Sequence, residues 1–104
     1  MTLRAWLHDR EPLPPRRLAT RVEEVLGPRC ENDDSEAAAS CLAAADELLR
    51  DLLARPSAGR ESALDLLTVD ALVTYAFEAA SREPDRLDDH AARAMSRFAA
   101  AARE

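Results

Sequence analysis

The sequence predicts an all-α protein, a small antiparallel bundle of four helices with a short N-terminal arm. Of its 104 residues, 22 are alanine and 15 are leucine, both strong helix formers, whereas isoleucine is absent. The leucines recur every three or four residues in segments that prolines separate. Short connections favour antiparallel neighbours. We assign residues 1–14 to the arm and residues 15–104 to the bundle domain.

The arm places Leu3, Trp6 and Leu7 at helical spacing, ahead of a proline-rich stretch that begins at Pro12. This spacing predicts one or two helical turns that dock by Trp6. Chain termini are loose unless something ties them down. A free arm that seeks a partner is therefore the alternative.

The first bundle helix is expected to begin near Pro15 and to end at Gly27 and Pro28. The second follows a polar loop, with Asp34 or Ser35 as its cap, and ends before Pro56. Each helix has an apolar stripe with steps of three and four residues. The stripes are Leu18, Val22, Val25 and Leu26 in the first helix, and Ala38, Leu42, Ala45, Leu49 and Leu52 in the second.

The third helix is expected from Arg60 to Arg82, and its apolar residues cover most of the helical wheel. Such a helix is typically central and buried on all sides. A narrow polar stripe remains, with Glu78 and Arg82 spaced to form an ion pair. This stripe is a candidate interface or small-ligand groove, or simply the wet edge of the helix. Its members are Asp70, Thr74, Glu78 and Arg82.

The fourth helix is expected after Pro84, with an alanine run over 99–102 that frays. Its seam alternates steps of four and three residues, as a bundle helix does. The seam residues are Leu87, Ala91, Ala94, Phe98 and Ala101.

Charge limits the classes of partner. Residues 1–29 carry six arginines and four acids, whereas the remainder is strongly acidic and the net charge is −6. This balance disfavours nucleic-acid binding, which needs a basic surface. No apolar run is long enough for a membrane span or a signal peptide, so we expect a cytoplasmic protein. Arginine without lysine, together with abundant alanine, suggests a GC-rich bacterial genome.

The two cysteines, Cys30 and Cys41, do not have the spacing of a zinc site. We expect Cys41 to pack in the core and Cys30 to lie exposed in a polar loop. A redox switch between them is the alternative.

His90 is the residue with the sharpest alternative role. His90, Arg93 and Ala94 loosely resemble the motif of histidine phosphotransfer domains, which are acidic four-helix bundles of similar size. The resemblance covers five residues and implies phosphorylation of His90. It departs from the family in carrying the histidine on the last helix, with arginine and alanine where the family has lysine and glycine.

No other catalytic or cofactor chemistry is indicated. Neither histidine lies three residues after a glutamate, as a di-metal bundle would require. No Gly-x-Ser-x-Gly turn or phosphate-binding glycine loop occurs. We therefore expect no enzyme activity, no cofactor and no metal. A groove beside Tyr75 and Phe77 that binds a small apolar ligand is a further alternative.

These observations favour a non-enzymatic protein that acts through protein–protein contacts, as an adaptor, regulatory or assembly subunit. The partner is another protein or a second copy of the chain. The arm and the basic face of the first helix are the predicted contact surface. The predicted partner-binding residues are Leu3, Trp6, Leu7, Arg16, Arg17 and Arg21.

Overall fold

The computed structural model describes residues 1–55, 59–82 and 87–103, without the side chains of residues 87–90. Within these ranges the protein is all-α, as predicted, and contains no strand. None of its described helices is long and apolar enough to cross a membrane. The five helices are α1 (Leu3–His8), α2 (Arg16–Leu26), α3 (Ala37–Ala54), α4 (Arg60–Ala80) and α5 (Leu87–Arg103).

The centre of the fold is the antiparallel pair α3 and α4, which make the most extensive contact in the molecule. Arg55 at the end of α3 reaches Asp65 near the start of α4, whereas Leu42 lies beside Ala76. Small residues line this contact, and the backbones of alanine-rich helices can approach closely. The buried side chains here include Cys41, Ala44, Ala45, Leu72 and Ala79.

The arm is docked, which resolves the first alternative. Leu3, Trp6 and Leu7 of α1 are buried in the core. The Leu3 amide donates to the carbonyl of Asn32 (2.8 Å), and the Asp34 amide donates to the carbonyl of Met1 (2.9 Å). The first residues are therefore tied to the segment that precedes α3.

Two short 3-10 helices, Gly27–Glu31 and Asp34–Glu36, connect α2 to α3. Gly27 has a positive φ of 57°, which suits glycine and ends α2 where the sequence predicts. The second 3-10 turn shifts the start of α3 to Ala37, one or two residues later than the predicted caps Ser35 and Asp34 imply. The Asp33 side chain accepts from the Ser35 amide and caps this turn instead.

Helix α5 packs against α3 and α4. Arg93 lies near Ala38 and Ala39, and Arg97 reaches Asp46, so α5 runs in the same direction as α3. The helix continues to Arg103, and Ala101 in the alanine run is buried. The end of the described chain is thus packed at this residue.

Two expectations about burial are wrong. Cys30 is fully buried, because the 3-10 helix turns its side chain inward to donate to the Glu23 carbonyl. Helix α4 is not buried on all sides, since Leu66 and Leu67 are 56% and 57% exposed. The neighbouring helices cover only part of its circumference.

Candidate functional site

The exposed side of α4 carries an ordered stripe of side chains. Arg60, Ala63, Leu67 and Asp70 follow one another at helical spacing and are all exposed. Residues at this spacing share one face of a helix. From the start of the helix, the stripe reads cation, small apolar, large apolar, anion.

Further apolar surface adjoins this stripe. Leu66 lies at its edge, and Leu66 and Leu67 each expose more than half of their side chains. Exposed single leucines are ordinary, but two adjacent large apolar side chains beside Ala63 favour an interaction site. We call Arg60, Ala63, Leu67 and Asp70 the α4 stripe, and Leu66 flanks it.

The charged side chains at the two ends of the α4 stripe are available to a partner. In the part of the chain that the structure describes, neither Arg60 nor Asp70 forms an ion pair. Thr74, next along the helix, satisfies its hydroxyl by donating to the Asp70 backbone carbonyl (2.9 Å). The carboxylate of Asp70 therefore remains open to a partner.

The structure divides the polar stripe that the sequence singles out. Asp70 and Thr74 are exposed and belong to the free side of α4. Glu78 and Arg82 do not pair with each other as predicted, because the docked arm and the 3-10 turn before α3 provide other partners. Glu78 pairs with Arg10 of the arm, and Arg82 contacts Asp34.

The six predicted partner-binding residues are not brought together on one surface. Leu3, Trp6 and Leu7 are buried, so in this fold their side chains are not accessible to another protein. Arg21 is used within the chain. Arg16 and Arg17 are exposed, and a partner contact through them stays a prediction.

Arg21 forms part of a buried ion pair with Asp65, which is only 4% exposed. Its Nε lies 2.7 Å from Oδ1 of Asp65, and Nη1 of Arg55 lies 3.0 Å from Oδ2. Hydrogen bonds from Arg21 and then Arg55 hold the pKa of the Asp65 carboxyl below its usual 3.8, against the opposing effect of burial. Sequence reasoning missed Asp65, because Arg21 is 44 residues away and Arg55 lies at the end of the preceding helix.

Both cysteines are free and buried, and burial raises the pKa of each thiol, for Cys41 to about 12. We expect the native protein at pH 8 to react with a thiol reagent roughly 100-fold more slowly than an exposed cysteine does, because thiolate and access are both lacking. Ala54→Cys, at an exposed position of α3, is the matched control. Equal labelling rates at all three positions would contradict this expectation.

The structure describes no contact or cavity that favours the alternatives based on His90 and on an apolar ligand. The side chain of His90 lies outside the described residues. The cavities that Phe77 and Tyr75 line have volumes of only about 10 and 40 Å³. Pockets that hold small ligands typically measure roughly 300 to 1,000 Å³. Among the side chains that the structure describes, no three potential ligands converge into a metal-binding group.

Comparison with known proteins found no matching family model and no significant match among curated proteins or solved structures.

Proposed function

We propose that this chain is a non-enzymatic assembly or regulatory protein that acts through protein–protein contact, and that its first partner is a second copy of itself. The observation that carries the proposal is the α4 stripe. Its order of charges and apolar residues is complementary to the same stripe read in the opposite direction.

A two-fold axis would produce this pairing. When two copies of α4 lie antiparallel with Ala63 opposite Leu67 of the second copy, Arg60 lies opposite its Asp70. Both contacts then occur twice, as a contact between identical surfaces requires. The small side chain of Ala63 gives room for the large side chain of Leu67, and the two ion pairs enclose the apolar centre.

Sedimentation velocity over a range of protein concentrations tests the proposal. We expect the wild type to pass from monomer to dimer, and Leu67→Glu to weaken dimerisation by at least about 100-fold, since it buries a charge at the centre of the contact. Met95→Glu is the matched control, because Met95 is a large apolar residue that is 73% exposed and belongs to α5, not to the α4 stripe.

A charge exchange tests the orientation of the two helices. Arg60→Glu alone and Asp70→Arg alone are each expected to weaken the dimer, because each variant opposes like charges across the axis. The double variant Arg60→Glu/Asp70→Arg is expected to restore it. A wild type that stays monomeric at millimolar concentration, or single variants that dimerise normally, would overturn the proposal.

The composition also suggests a bacterial source and a cytoplasmic location, and both stay predictions. A phosphotransfer role for His90 has no described contact that favours it. Arg16 and Arg17 lie on α2, outside the α4 stripe, and a further protein partner that binds them stays a prediction.

A further inference from the structure

A second surface feature lies between the start of α3 and the middle of α5. It is a groove of about 280 Å³, with an apolar wall from α3 and a polar wall from α5. The apolar wall is Ala38, Ala39 and Leu42, and the polar wall is Arg93, Ser96 and Arg97. No carboxylate is among the described residues that line it.

The polar wall follows from the sequence spacing. Arg93, Ser96 and Arg97 stand three and four residues apart, so their side chains project from one face of α5. Arg93 and Ser96 are exposed, and no ion pair joins Arg93 to a side chain of residues 1–55, 59–82 or 91–103. A guanidinium offers five donors in a planar fork that matches the oxygens of a phosphate.

A buried carboxylate positions this wall. Asp46 is 6% exposed and accepts from Arg97, whose Nη2 lies 3.1 Å from Oδ2. Arg50 donates to the other oxygen of the same carboxylate (Nε–Oδ1 3.2 Å). One carboxylate therefore serves two arginines, of which only Arg97 lines the groove, and Arg93 adds a second guanidinium to the same wall.

The α3 wall is apolar. Ala38 and Ala39 lie in the first turn of α3, and together with Leu42 they form the surface opposite the arginines. The positive end of the helix dipole lies here, but Asp34 and Glu36 stand just before it and offset that field. The two guanidinium groups and the serine hydroxyl are therefore the groups that favour an anionic ligand.

We propose that this groove binds a small phosphate-bearing ligand, with the phosphate between Arg93 and Arg97 and a short apolar part against Ala38 and Leu42. The volume suits a phosphate and a few carbon atoms rather than a nucleotide. The site lies on α3 and α5 and shares no residue with the α4 stripe. Binding here and dimerisation through α4 can therefore be tested separately.

Titration of the full chain with inorganic phosphate, followed by amide NMR at constant ionic strength, tests the proposal. We expect saturable shifts at Ala38, Ala39 and residues 93–97. Arg93→Gln is expected to weaken binding by at least about tenfold, because a charge-assisted contact is lost. Arg93 is exposed, so this variant should fold normally.

Arg103→Gln is the matched control, since Arg103 is exposed on the same helix outside the groove, and it should bind phosphate as the wild type does. Ser96→Ala should weaken binding more modestly. Shifts that never saturate, or an unchanged affinity in Arg93→Gln, would overturn the site.

Discussion

Replacing Trp6 by alanine is expected to lower the free energy of unfolding by about 3–5 kcal/mol, the range for deleting a large buried aromatic side chain. Trp6 is 6% exposed and meets Tyr75 edge to face, with ring centroids 6.2 Å apart at 82°. The guanidinium carbons of Arg10 and Arg82 lie 4.3 and 5.4 Å from the indole ring. Removing the indole therefore loses both apolar burial and two cation–π contacts.

Chemical denaturation measures this effect, and Trp6→Phe and Leu13→Ala are the controls. Trp6→Phe keeps a ring in the site and is expected to cost less than the alanine variant. Leu13 belongs to the same arm but is 63% exposed, so Leu13→Ala should change stability by no more than about 0.5 kcal/mol. A Trp6→Ala variant within 1 kcal/mol of the wild type would show that the arm is undocked in solution, by the same scale of effects.

Breaking the Asp65 ion pair is the second large effect. Arg21→Met keeps the apolar stem but removes the charge, and we expect it to destabilise the protein by about 2–3 kcal/mol at pH 7. Removing one partner of a fully buried pair costs about 3–5 kcal/mol. The smaller figure applies here because Arg55 still faces Asp65, and the Arg21 side chain is 30% exposed.

The effect has a defined pH dependence. Because the pKa of Asp65 in the folded protein lies below its usual 3.8, the pair stabilises the protein fully above that pH. The stabilisation is lost as the pH falls through the lowered folded-state pKa and the carboxyl is protonated. The difference in unfolding free energy between wild type and Arg21→Met should therefore shrink from pH 7 to pH 2.

Arg17→Met is the matched control for this series. Arg17 stands one turn before Arg21 on α2 but is exposed, and no ion pair is described for it. Its loss should cost less than about 0.5 kcal/mol at either pH. If Arg17→Met and Arg21→Met lose equal stability, or if the Arg21→Met difference is the same at both pH values, the Asp65 pair does not carry the effect.

Local sequence information predicted the helices well. Pro15 and Gly27 mark the limits of α2, and its apolar side carries two leucines and two valines at helical spacing; the structure confirms both. The prediction of where α3 starts was less accurate, because the same capping side chain can cap a 3-10 turn or an α-helical turn. The spacing of apolar residues shows that a segment is helical and which of its sides is apolar. For this protein that information was sufficient to place the helices.

The tertiary partners were not predictable in the same way. Asp65 meets an arginine that is 44 residues away, and Asp46 meets one 51 residues away, so no local pattern connects them. Apolar residues surround α4, so the sequence alone does not distinguish the covered side from the side that carries Leu67. The packing of α2, α3 and α5 against α4 determines which side stays exposed.

The two buried carboxylates also bear on how the chain avoids folding incorrectly. Interfaces rich in alanine are smooth, and sliding α4 along α3 by one turn, about 5.4 Å, would still bring small side chains together. Such a slip would carry Asp65 away from Arg21. A slip of α5 would likewise separate Arg97 from Asp46. We expect these ion pairs to raise the energy of misaligned packings more than they lower that of the native one, so that one alignment of the helices is selected.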